Sequence, residues 1–127
     1  MKKIKNFLTF VFYITNLVLI IFYLYPGSIF GCFLYNDCNL QPQITSNFVI
    51  SSNHFYAFTI LSALGVLAYK NTKKIKFLIL YLFLISGILE LFHFIIPNRE
   101  FQVSDLFGNI VGVVFVIIIY KVKNMYV

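Results

Sequence analysis

The chain has 127 residues, of which 61% are hydrophobic and 11% charged, with a formal net charge of +6. Soluble domains carry about 25% charged and 45–50% apolar residues. A water-soluble domain this short has too little interior to hide so much apolar surface, which excludes a soluble globular fold. The composition is that of an integral membrane protein, with membrane lipids as its surroundings.

A charge of +6 suggests a nucleic-acid partner, but the placement of the charges argues against one. Lys2, Lys3 and Lys5 precede the first apolar run, Lys70, Lys73, Lys74 and Lys76 separate the second from the third, and Lys121 and Lys123 follow the fourth. Only Arg99 falls in either of the other two connections. Short loops rich in Lys and Arg stay on the cytoplasmic side, so both termini are expected there in a multi-pass protein of the cell membrane. Attraction to anionic head groups is a secondary consequence.

Four apolar runs define the expected architecture. It is all-α, a four-transmembrane-helix bundle forming a single domain over residues 1–127, with spans at 7–25, 48–69, 77–96 and 105–120. The first is long enough to cross a hydrocarbon core about 30 Å thick. The basic start of the first run fits a signal peptide, but no small-residue cleavage site follows. Ile29-Phe30-Gly31-Cys32 loosely resembles a lipoprotein processing site, into which Phe30 fits poorly. The segment 26–47, rich in Gly, Pro, Asn, Gln and Ser, reads as an outer loop. Its cysteines, Cys32 and Cys38, close a short loop if bonded, which an extracytoplasmic location permits; two unpaired thiols are the alternative. Only Asp37 accompanies them, so no metal site is expected, and no cofactor either.

Within the apolar runs, ionisable and amide groups are rare and clustered. An ionisable group at the centre of a span costs about 2.5–3.5 kcal/mol on insertion scales, so its default reading is a functional site. His54 lies near the outer end of the second run and shares a helical stripe with Phe58, Leu61 and Gly65. Glu90 lies in the third run on a stripe with Gly87, Phe94 and Pro97, with His93 one turn away. The fourth run opens with Asp105, Gly108, Asn109 and Gly112 on one face, and the Gly108-x-x-x-Gly112 spacing allows close helix approach. The structural alternative is that Glu90 and Asn109 bond to each other and set the register of the hairpin, while Asp105 or Ser104 caps the fourth helix.

Ser52-Asn53-His54 with Ala57-Phe58 and Leu61, then Gly87-x-x-Glu90, Arg99, Asp105, Asn109 and Gly112, together resemble the VanZ-like membrane proteins. The resemblance spans about residues 51–112. It implies a site formed by His54, Glu90, Arg99, Asp105 and Asn109, with Asn53 and His93 around it. Here Ser52-Asn53 stands where the family commonly has Asp-Lys, and His93 where it has glutamine. The family is named for a protein contributing to resistance to the glycopeptide teicoplanin, so an envelope role is implied. Three function classes follow. The first is a non-enzymatic modulator of the envelope or of antibiotic binding. The second is an intramembrane enzyme on a lipid-linked substrate, with Glu90 or His54 as acid or base and Arg99 on a phosphate. The third is a small proton-coupled transporter. All three need the polar cluster, and an outward-opening pocket where these residues converge at the outer leaflet would suit a phosphate- or carboxylate-bearing envelope lipid.

Overall fold

The structure is a computed structural model and describes residues 2–127. Those residues form an all-helical fold of five α-helices and one 3₁₀ turn. The first helix, α1 (Lys2–Leu24), is 23 residues long, about 34 Å at 1.5 Å per residue. It buries Phe12, Leu19 and Tyr23, spaced seven and four apart along one stripe, and leaves Phe7, Phe10, Leu17 and Ile21 exposed. The chain breaks at Pro26-Gly27. Gly27 takes φ 101°, a left-handed value that favours glycine, and a Cβ there would meet the Cys38 carbonyl oxygen at 2.8 Å.

The expected outer loop contains a short helix, α2 (Ile29–Tyr35). Ser28 caps it by accepting from the Gly31 N–H, and Asn36 closes it in the left-handed conformation. Cys32 and Cys38 are joined by a disulfide, with Cα atoms 4.1 Å apart. Seven apolar residues between Pro-Gly and Asn-Asp turn signals were too few to read as a helix from the pattern alone.

The next helix, α3 (Ser52–Tyr69), lies at the centre, packed against α1, the helix α4 (Ile75–Leu91) and α5 (Val103–Met125). It starts four residues later than expected, because the Asn47 side chain accepts from the Ser52 N–H and residues 48–51 stay outside the helix. Phe58, Leu61 and Ser62 have no exposed surface. Helix α4 continues through a 3₁₀ turn, Phe92–Phe94. The segments Lys2–Leu24, Ile75–Phe94 and Val103–Met125 are long and apolar enough to cross a membrane. Helix α3, which carries Ser52, Asn53 and His54 in its first turn, is not among them.

The buried stripe of α4 is Leu82, Ile85, Ser86, Leu89 and Glu90, reaching His93 through the 3₁₀ turn. Gly87 and Phe94, expected on the Glu90 stripe, lie off it: Phe94 is 69% exposed, and a Cβ on Gly87 would meet nothing within 4 Å. The tighter winding of the 3₁₀ turn rotates His93 inward instead. On α5 the buried stripe is Gly108, Asn109, Gly112, Val113, Val116 and Ile117. The two glycines press on the backbone of α3. A Cβ on Gly108 would stand 2.7 Å from the Ser51 carbonyl oxygen, and one on Gly112 2.7 Å from that of Phe55. Large apolar side chains such as Leu80, Leu84, Ile88, Phe115 and Ile118 face outward, as expected of a surface in contact with membrane lipid.

The two kinds of glycine predict opposite outcomes in detergent-solubilised protein. Gly112→Ala must push α3 from α5 and is expected to destabilise by about 1–3 kcal/mol. Gly87→Ala fills open space and removes a poor helix former, so it should be neutral or stabilise by up to ~1 kcal/mol. Chemical unfolding followed by circular dichroism compares them.

Candidate functional site

At one end of the bundle, the last turn of α1, the first turns of α3 and α5 and the end of α4 bring their polar side chains together. Glu90 has no exposed surface. Its Oε1 accepts from the Gln102 N–H at 3.2 Å and lies 3.1 Å from His93 Nδ1. His93 Nε2 donates to the Tyr23 carbonyl at 3.1 Å. Since Nε2 carries a proton, the Nδ1 contact holds one more, on either the imidazole or the carboxyl, and the pair is net neutral in both forms. Glu90 Oε2 is buried with no hydrogen-bond partner and lies 3.8 Å from His54 Nδ1.

The Tyr23 hydroxyl of α1 ties the other groups together. It donates to Asn109 Oδ1 and stands 2.8 Å from His54 Nδ1. Its ring stacks on His93 with centroids 5.7 Å apart and meets Phe58 edge-on. Asn109, also without exposed surface, accepts through Oδ1 from His54 Nδ1 at 3.0 Å and donates through Nδ2 to the Ser86 carbonyl at 3.0 Å. Because an amide oxygen can only accept, Nδ1 of His54 is the protonated nitrogen and Nε2 keeps its lone pair when the ring is neutral. His54 Nε2 faces Asp105 Oδ2 at 3.5 Å.

The geometry differs from the sequence expectations at several residues. His54, Glu90, Asp105 and Asn109 come together, and His93 contacts Glu90 directly. Glu90 and Asn109 do not bond to each other; Asn109 spends its amide on Tyr23, His54 and Ser86. Neither Asp105 nor Ser104 caps α5, whose cap position is Gln102 without a side-chain bond. Arg99 reaches the site's rim but donates to the carbonyls of Phe22 and Tyr25, not to a carboxylate. Those are unpaired carbonyls at the end of α1, where a cation is favoured. Burial pulls the Arg99 pKa below its ordinary value, opposed by Tyr23, Glu90 and Asp105. Asn53 lies outside the hydrogen-bonded cluster and braces the preceding loop, accepting from the Ile44 N–H and donating to the Pro42 carbonyl. Tyr23 was missed: a tyrosine at the end of an apolar run reads as an interfacial anchor.

Two cavities adjoin the cluster. A polar cleft of about 540 Å³ is lined by residues including His54, His93, Arg99, Gln102 and Asp105. An apolar groove of about 560 Å³ runs beside it between α1, α2 and α3, past Leu19, Phe22, Leu34, Ala57 and Ile60. Gln41, Gln43, Asn53, His54 and Arg99 line both.

Compared with known protein families, residues 10–124 match the family model described as VanZ/LLP1. The chain belongs to the VanZ/LLP1 family. No curated protein and no solved structure matches this VanZ/LLP1 chain. The family match and the apolar helices together make it a VanZ-like multi-pass membrane protein.

Removing the Tyr23 hydroxyl tests the cluster. One hydroxyl serves two partners, so Tyr23→Phe is expected to cost about 1–2 kcal/mol, against the ~0.6 kcal/mol typical of one interhelical polar contact. Tyr13→Phe, which loses only an exposed bond to Tyr69, should cost close to nothing by the same unfolding measurement.

Proposed function

We propose that this VanZ-like protein holds an envelope lipid at an outward-facing polar intramembrane site and thereby contributes to glycopeptide resistance of the teicoplanin type. One observation carries the reading: the polar cleft and the apolar groove are contiguous and share His54 and Arg99. That arrangement suits a molecule with a charged head and hydrocarbon chains. The guanidinium has five N–H donors, of which two are spent on the carbonyls of Phe22 and Tyr25, so three remain for a phosphate or carboxylate. The groove offers the chains a path toward the lipid-facing surface of α1 and α3.

A second reading has its own support. The buried Glu90–His93 pair holds a proton beside His54, the arrangement needed for acid–base chemistry on a lipid-linked substrate or for a proton relay. It uses the same cleft and differs in requiring turnover or flux.

The orientation belongs to the proposal, with four crossings, both termini cytoplasmic and the cleft outside. Nine of the ten basic residues lie at the opposite end or in the connection between α3 and α4. After mild reduction, the exposed Cys38 should react with an impermeant thiol reagent on intact cells, and a cysteine replacing Asn71 should not. Reaction at position 71 with none at the native cysteines reverses the topology.

Lipid binding is tested by native mass spectrometry of protein purified from membranes. Wild type should retain a phosphate- or carboxylate-bearing lipid, and Arg99→Ala inserted at equal abundance should lose most of it; equal retention contradicts the reading. In a susceptible host, expression should raise the inhibitory concentration of teicoplanin severalfold. Glu90→Gln should abolish that rise at normal abundance, and full activity of that variant would return Glu90 to a structural role.

A further inference from the structure

One imidazole and two carboxyl groups converge at the inner edge of the cleft without a lysine or arginine paired to them. Single atoms of His54, Glu90 and Asp105 all lie within 4.8 Å of one another. A cluster of this kind is common and by itself indicates nothing. What distinguishes it is the second oxygen of Glu90. Oε1 is held by His93 and the Gln102 N–H, and His93 is held in turn by the Tyr23 carbonyl and stacked on the Tyr23 ring. Oε2 is left fully buried, without a hydrogen-bond partner, and lies 3.8 Å from His54 Nδ1. A carboxyl gripped on one oxygen by an outer set of hydrogen bonds, its other oxygen free, is oriented as metal-ligating carboxylates are.

The tautomer of His54 leaves Nε2, on the Asp105 side of the ring, as its ligating nitrogen. Asn109 and Tyr23 engage Nδ1, so the neutral ring turns the lone pair of Nε2 toward Asp105 Oδ2 at 3.5 Å. Two lone pairs in that position repel unless a cation or a proton sits between them.

We propose that His54, Glu90 and Asp105 bind one divalent transition-metal ion of the zinc class. An imidazole among the ligands selects zinc, cobalt or nickel over magnesium and calcium, which take oxygen ligands. Zinc bonds of about 2.0–2.2 Å place tetrahedral ligand atoms about 3.3–3.6 Å apart, so the widest pair must draw in by roughly an ångström. Asp105, with its side chain 17% exposed at the start of α5, is the ligand with room to move. Asp105 and His54 line the cleft, which supplies the entry path. Three protein ligands leave a coordination position open, and a phosphate or carboxylate in the cleft would occupy it. That last feature rests on the lipid reading above; binding of the ion itself does not.

The test uses the purified full chain in detergent, stripped with a chelator and kept under non-reducing conditions so that Cys32 and Cys38 stay bonded. Titration with Co²⁺ alone should produce visible d–d bands. Dialysis against Zn²⁺ should leave one ion per chain by atomic spectroscopy, not displaced by excess Mg²⁺. His54→Ala and the nearly isosteric Asp105→Asn should each weaken apparent affinity at least tenfold while circular dichroism stays unchanged. Absence of binding to wild type, or wild-type affinity in both variants, overturns the inference and leaves a shared proton between His54 and Asp105. Arg99→Ala separates the two proposals, since it should lose lipid yet keep the ion. Lipid retained by metal-free wild type that binds no Co²⁺ or Zn²⁺ sinks the metal site alone. Ion binding with no co-purified lipid sinks the lipid reading alone.

Discussion

A carboxyl group without exposed surface has to find its hydrogen bonds inside a bundle whose buried positions are mostly apolar. Leaving such a group unpaired costs several kcal/mol, and no water is available in the hydrocarbon core to soften the cost. Glu90 meets the requirement at Oε1, through His93 one helical turn on and the Gln102 backbone at the entry to α5, and leaves Oε2 without a partner. His93 in turn needs an acceptor, and the last turn of α1 supplies it. One buried acid thus sets the mutual positions of α1, α4 and α5 at this end of the molecule.

Small residues make that convergence possible. Gly108 and Gly112 let α5 lie against the backbone of α3, which brings Asn109 within reach of His54. With that approach blocked, the Asn109 carbonyl oxygen would lose His54 as a donor and keep only the Tyr23 hydroxyl. The hydroxyl of Tyr23 then closes the network across α1, α3 and α5. Packing and polar satisfaction depend on each other here, and the cleft is the space left over where the four chain segments diverge.

Much of the site was legible in the sequence because polar groups are rare in it. His54, Glu90, Asp105 and Asn109 stand out against apolar runs, and helical spacing places them at like depths. The missing parts are those whose physical role is masked by a commoner one. Tyr23 reads as a membrane-interface aromatic, and only the fold turns its hydroxyl inward. Arg99 reads as the phosphate-holding member of the site, but two of its donors go to backbone carbonyls at the end of α1. The helix α2 is too short to show a period, and its neighbours are turn formers. Helix α3 shows why apolar length and position in a bundle are separate properties. Its polar first turn is shielded by the preceding loop, which bonds Ser52 and Asn53, and by α1 and α5, which bond His54. Counting apolar residues cannot reveal that shielding.

The same features bear on function. The Glu90–His93 pair is buried and hydrogen-bonded, whereas Asp105 and Arg99 at the cleft are partly exposed, so the outer half of the site is the half open to a ligand. The contact between Glu90 Oε1 and His93 Nδ1 at 3.1 Å is the bond on which this end of the bundle depends. A double-mutant cycle of His93→Phe and Glu90→Gln, read by unfolding in detergent, tests it most directly. The bond predicts a coupling free energy of about 1 kcal/mol or more between the two positions, as for residues in one hydrogen-bond network. Additivity within about 0.3 kcal/mol would mean that the two side chains act independently, and would contradict it.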